Sequence, residues 1–403
     1  MEKEHIFFLQ ILRDFIREKH TDEPSFEVDW NRITGLARRH NMMGIVYVQC
    51  RNILENNPGL ALYHKKLRDG FLSEVSCAIC RNEDFWQIQE KFQEQGIRFI
   101  VMKGKELSRY YPEPLLRTMG DIDIVIREGD RKKSHAVMEE LGYVSKQDLS
   151  AVWEYFRDLS HIEIHDHMIY EPLANQIDYQ SYFDQVWDHV RVRPGTSRCD
   201  LEESFHFLYL MAHTAKHIIN NGNGFRPFLD MVFLVQKCGG EMDWNWIVAE
   251  LKKLALLDFT KTCFALCSRW FEVEMPIASE KLDEEFYRRA TEKTFQDGIF
   301  GFDNAENKIA TPAKTIQRSR LPYWMESLRM IFGRLFPSYE DMRTIPWYSF
   351  LDGHPWMLPL AWVYRYGYCL KHKFTQGKQA LTEPYVRKKE IEERCSYISD
   401  WGL

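Results

Sequence analysis

Asp121 and Asp123 stand two residues apart in a run, Asp121–Ile126, that alternates acid and isoleucine over its first four positions. On a β-strand such residues project from one face, so both carboxylates point the same way and Ile122, Ile124 and Ile126 point the other. Two carboxylates side by side repel each other unless a cation lies between them. Their hard oxygens suit Mg²⁺ or Mn²⁺, and such ions stabilise the attacking and leaving oxygens of a phosphoryl displacement. The plain alternative is an exposed strand edge with two solvated acids.

Three neighbouring features bear on that choice. Lys103 and Gly104 close a β-rich run, Ile97–Met102, and precede a helix expected over Glu106–Tyr110. A glycine there lets phosphate approach the backbone, a helix N-terminus favours an anion, and Lys103 adds a positive point charge. The alternative is an ordinary strand-to-helix turn. A second alternating run, His161–His167, puts Glu163 between His161 and His165 on one face. If it neighbours Asp121–Ile126, three carboxylates converge. Read differently, His161, Glu163, His165 and His167 form a zinc set. His213 and His217 share one helical face, but residue 214 is Thr, which excludes the metalloprotease helix motif. Lys216, His217, Arg226 and Asp230 read as lining a cleft from a helical side, or as holding it together.

Helices surround this stretch. Residues 1–94 read as a helical region, with Asp29 or Asn31 as a cap and Pro58–Gly59 as a turn. Residues 95–195 hold the strand patterns and a helix over Asp130–Leu141 that ends at Gly142. Residues 196–403 return to helical periodicity, in Glu203–Ile219, Arg226–Lys237, Asp243–Leu256 and Phe259–Phe271. The expected fold class is α+β, a small mixed sheet flanked by helical regions. Trp347, Tyr348, Trp356, Trp362, Tyr364, Tyr366 and Tyr368 read as core, with Arg318, Arg320, Arg329, Arg334 and Arg343 nearby.

Composition narrows the partners. A formal net charge of -6 argues against a long nucleic acid, which needs a basic surface. Nine cysteines at irregular spacing argue against a disulfide framework and fit a reducing cytoplasm. Cys77 and Cys80 read as helix residues, because no second pair follows at zinc-ribbon spacing. The N-terminal apolar residues Phe8, Ile11, Leu12, Phe15 and Ile16 fall at helical spacing among charges, which fits an amphipathic helix and not a signal peptide. The most apolar later stretch, Pro355–Leu370, is short and contains Arg365, so no transmembrane segment is expected.

As a set these residues resemble the uncharacterised nucleotidyltransferase family of the DNA polymerase β-like superfamily. Lys103, Gly104, Tyr111, Pro112, Arg117, Asp121 and Asp123 match its signature, and Glu163 with His165 match its following strand. His213, Lys216 and His217, then Arg226 and Asp230, match its helical part, so the resemblance spans about residues 75–240. Lys105 follows Gly104 where the wider superfamily carries Gly or Ser, and the stretch from Gly104 to Asp121 is longer than usual there.

The resemblance implies a metal-dependent transfer of a nucleoside monophosphate from a nucleoside triphosphate, with ATP the expected donor, to an acceptor hydroxyl. It implies that Asp121, Asp123 and Glu163 hold Mg²⁺ or Mn²⁺, with Glu163 as ligand or general base. It implies nucleotide contacts from Lys103, Gly104, Lys105, Arg117, Lys216, His217 and Arg226. Arg117 is read equally as a phosphate contact or as a partner of an aspartate. The acceptor is a small molecule, a sugar or a protein side chain. Two other readings stand beside this one. The first is a non-catalytic nucleotide-sensing or partner-binding module, favoured if Glu163 points away from the aspartates. The second is a zinc metallohydrolase built on His161, Glu163 and His165.

Overall fold

The computed structural model describes residues 2–146, 152–170, 173, 175, 177–220, 222–277, 282–299, 323–339, 342, 346–351, 353–372 and 388–403. Two compact units result. The larger takes in residues 1–173, 177–302 and 400–403, and the smaller 174–176 and 303–399.

The larger unit begins with α1 (Lys3–Ile16), α2 (Trp30–Arg39), α3 (Met43–Asn56) and α4 (Ala61–Glu94). Asp29 caps α2, its side chain accepting from the amides of Asn31 and Arg32. Phe8, Ile11, Leu12, Phe15 and Ile16 of α1 are all buried, so the amphipathic stripe of the sequence is a packing stripe. Cys77 and Cys80 both lie in α4.

A mixed seven-stranded sheet follows. Its strands are β1 (Phe99–Met102), β2 (Ile122–Ile126), β3 (Val144–Lys146), β4 (Trp153–Arg157), β5 (Ser160–His165), β6 (Val190–Val192) and β7 (Arg198–Leu201). Their order across the sheet is β3-β4-β5-β2-β1-β7-β6. The fold is α+β, as the patterning implies. Three strands carry the alternation or β-rich run expected from sequence. The other four were not expected from sequence, although β7 alternates polar and apolar residues over Arg198–Leu201.

One face of the sheet is apolar over its central strands, from β4 to β1. Phe99, Val101, Ile122, Ile124, Ile126, Tyr155, Ile162 and Ile164 pack there with Phe85, Ile88 and Phe92 of α4. Val137 and Met138 of α6 (Arg131–Glu140) complete that layer. α6 ends as expected, with Gly142 in the left-handed region at φ +81°. The period of two then sends the alternate residues of β2 and β5 to the opposite face.

Between β1 and β2 lies α5 (Lys103–Leu107), followed by a 3₁₀ turn over Ser108–Tyr110. The helix starts at Lys103, three residues earlier than the sequence suggests. The unit continues with α7 (Tyr179–Phe183), α8 (Glu203–Asn220), α9 (Arg226–Cys238), α10 (Trp244–Lys253), α11 (Leu257–Phe271) and α12 (Glu284–Asp297).

The smaller unit holds helices Tyr323–Leu335 and Leu358–His372 and most of Lys388–Asp400. Met342, Tyr348, Leu351 and Ala361 form a small core there, with Trp362 packed against it. Trp356 and Tyr364 are exposed, so the aromatic run divides between core and surface. Arg318, Arg320 and Arg343 lie outside the described residues. Among the described residues no helix is long and apolar enough to cross a membrane.

Candidate active site

The site is assembled on the polar face of the sheet. β2 lies between β1, its antiparallel partner, and β5, its parallel partner. The register sets Asp123 against Met102 on one side and Glu163 on the other. Asp123 and Glu163 therefore face the same way, and Glu163 does not point away from the aspartates. Asp121 immediately precedes β2 and lines the same cavity.

Asp123 is almost fully buried. Lys103 Nζ donates to its Oδ1 at 2.6 Å, and His165 Nε2 stands 3.1 Å from the same oxygen. His165 Nε2 also lies 3.4 Å from Glu163 Oε2. Burial by itself opposes the charge on Asp123, but the Lys103 ammonium and the His165 imidazole hold its carboxyl well below the usual range. Burial opposes the charge on Glu163 too, and the His165 contact lowers it. For His165 the balance reverses. Burial disfavours the imidazolium, while Asp123 and Glu163 stabilise it and raise its pKa. Asp121 is raised, first by burial and then by repulsion from Asp123.

Lys103 itself is in the left-handed region, at φ +50°. A non-glycine residue there carries strain of about 1–3 kcal/mol, which the surrounding structure must impose. The ammonium–carboxylate contact is the visible reason. Burial disfavours the Lys103 charge, but Asp123, Tyr209 and Asp121 together raise its pKa.

On the helical side, α8 and α9 carry Lys216, His217, Arg226 and Asp230, and a different cluster forms where Arg117, from the β1–β2 connection, reaches Asp230. Arg117 grips Asp230 with two donors, Nη2 to Oδ2 at 2.6 Å and Nε to Oδ1 at 3.1 Å. Tyr111 donates its hydroxyl to Asp230 Oδ1 at 2.8 Å. Arg117 Nη1 and Arg226 Nη1 each donate to the Thr118 carbonyl at 3.0 Å. Arg117 thus has an aspartate partner, one of the two roles read for it, and it also borders the cavity. Gly104 also has a specific cause, since a Cβ there would collide with the Arg117 guanidinium. On α8, His213 and His217 meet Nε2 to Nε2 at 3.0 Å. Burial, then the Lys103 charge, push His213 well below its usual value and His217 down to about 4.

A cavity of about 630 Å³ lies between the sheet and the helical side. Lys103, Gly104, Arg117, Asp121, Asp123 and Glu163 line it, and Lys216, His217 and Arg226 face them. Lys105 does not line it. Its ammonium bonds to Asn82 Oδ1 and lies over the Phe85 ring, so packing against α4 takes it away. His167 also leaves the cluster and pairs through Nδ1 with Asp184 Oδ1 at 2.6 Å. The four-residue zinc set is therefore not brought to one centre. Sequence reasoning missed His40, Asn41 and Asn223, which also border the cavity. Nothing in the spacing of His40 and Asn41 relates them to strands that begin nearly sixty residues later.

Asp123, Glu163 and His165 each offer a ligand atom, all within 4.8 Å of one another. An oxygen-rich set of this size fits a divalent ion, with the imidazole widening the choice toward Mn²⁺ or Zn²⁺. The fold and site define an α+β protein whose mixed sheet presents adjacent carboxylates to a cavity. The family described as uncharacterised nucleotidyltransferases matches residues 27–272, and the chain belongs to it. No curated protein and no solved structure matches the chain.

Proposed function

We propose that this protein moves a nucleoside monophosphate from a nucleoside triphosphate, with ATP the expected donor, to an acceptor hydroxyl, which loses its proton as the α–β phosphoanhydride bond breaks and pyrophosphate leaves. The observation that carries this reading is the register of β2 with β5, which lines up Asp123 with Glu163 beside Asp121. Asp121, Asp123 and Glu163 would hold Mg²⁺ or Mn²⁺, and His165 joins them through its contacts to Asp123 and Glu163. A divalent ion held there supplies charge neutralisation for a triphosphate and its leaving group. Lys103 already faces Asp123 with a positive charge, and Lys216, His217 and Arg226 give the helical side the donors that phosphate oxygens require. Arg117, held by Asp230, shares the Thr118 carbonyl with Arg226 and also lines the cavity, where it adds positive charge for phosphate.

The test is calorimetric titration of ATP, GTP, CTP and UTP with and without Mg²⁺, on wild type and on the double substitution Asp121→Ala with Asp123→Ala. Binding of one triphosphate that needs Mg²⁺ and disappears in the double variant supports the reading. A folded wild type that binds no triphosphate under either condition sinks it.

A further inference from the structure

A second group of metal-type ligands stands on the same sheet face, further from Asp123. Glu154 of β4 is registered directly against Glu163 of β5. Like charges directly opposite in an antiparallel pair destabilise the sheet. His161 lies beside them, its ring stacked on Phe156 at 4.4 Å between centroids and 13° between planes. That stacking fixes where its nitrogens point. Nε2 lies 3.7 Å from Glu154 Oε2 and 3.9 Å from Glu163 Oε1. Both separations are too long for a hydrogen bond. His161 Nε2 is nevertheless shielded from solvent and has no hydrogen-bond partner among the described residues. The ring is 27% exposed, but Nε2 itself is covered and is aimed between two carboxylate oxygens without a hydrogen bond to either, which calls for a physical reason.

Bond lengths supply one. Bonds from imidazole nitrogen or carboxylate oxygen to Zn²⁺ run about 2.0–2.2 Å, so atoms around one ion stand roughly 3–4 Å apart. The ligand atoms of Glu154, His161 and Glu163 all lie within 4.8 Å of one another. We propose that Glu154, His161 and Glu163 form a second divalent transition-metal site, of the Mn²⁺ or Zn²⁺ class, that shares Glu163 with the Asp123 site. Glu163 suits a bridge, because its Oε1 faces His161 while its Oε2 faces His165. Three protein ligands leave coordination positions open to water or to an acceptor oxygen, as in working sites rather than closed structural ones. The bridge rests on the proposed function. The site at Glu154 and His161 does not.

The experiment is a Mn²⁺ titration of the full chain without nucleotide, with free Mn²⁺ read by electron paramagnetic resonance. Wild type takes up two equivalents. Glu154→Gln and His161→Gln, each checked for fold by circular dichroism, weaken one equivalent at least about tenfold and keep the other. Asp123→Asn does the converse. A single equivalent in wild type that survives both Glu154→Gln and His161→Gln overturns the proposal, and so do two equivalents left unchanged by both. If Asp123→Asn alone changes nothing while Glu154→Gln removes an ion, the second site stands and the proposed function loses its metal.

Discussion

Asp230 and Asp123 are carboxylates buried to 3% and 1% exposure that line one cavity, and they are held in different ways. Asp230 sits in the fork of Arg117, with two guanidinium donors and a tyrosine hydroxyl on its oxygens. The fork is planar and bidentate, so geometry as well as charge fixes it. Asp123 has a lysine ammonium and an imidazole on one oxygen, Oδ1. An ammonium is a point charge on a flexible stem, and it can be exchanged for another cation. Asp121 and Glu163 add further negative charge beside Asp123, while the Arg117 wall is cation-rich. The difference separates a lock from a site. One cluster is closed by a planar fork, and the other holds its carboxylates with an ammonium and an imidazole, which is what the proposed cation site requires.

Four changes test that contrast. Arg117→Ala leaves Asp230 buried without its fork and is expected to destabilise the fold by about 3–5 kcal/mol, read by urea denaturation. A loss below about 1 kcal/mol would mean the pair is no lock. Asp121→Asn is the opposite case. Its carboxyl is raised by burial and by Asp123, so its charge is unfavourable in the fold and removing that charge does not lower the unfolding midpoint. Metal-dependent triphosphate binding should still weaken by about 10–100-fold or more. A lower midpoint with intact binding would reverse the assignment.

Gly104→Ala tests the seam between the clusters, because the added methyl meets the Arg117 guanidinium. Overpacking of this kind costs about 1–3 kcal/mol, visible in thermal melts. No shift in the melt would show that Arg117 can give way.

The smallest effect is on pH dependence. Burial holds His40 at about 3, and His206 and His217 at about 4. Their folded values lie below the ordinary 6.5, so the unfolded chain takes up protons first. The stability they confer is complete above 6.5 and is lost as pH falls toward 4. His165 has the opposite sign, since its value is raised, and its contribution is present below 6.5 and lost as pH rises through the raised value. Depressed histidines outnumber it, so denaturation midpoints should fall between pH 6.5 and 4. A midpoint that rises on acidification contradicts the neutral assignment.

The alternation of Asp121–Ile126 and His161–His167 was readable because side-chain direction in a strand has a period of two, a purely local property. From it followed the two strands, their apolar faces and the acids on the other side. Asp29 as a cap and Gly142 as a helix stop were readable for the same reason. β3, β4, β6 and β7 were not read: β3 and β6 have three residues each, and the mixed polar and apolar residues of β4 and β7 stand out little from the loops around them. Lys105 was misplaced for want of α4, since its partner Asn82 belongs to a helix packed on the far side. The aspartate partner of Arg117 was not readable, since Asp230 lies 113 residues away. The amino-acid order determined which faces were apolar and which residues could carry charge. Only the tertiary structure decided which charge meets which, because those pairings depend on how elements distant in sequence pack together, and no local period records that.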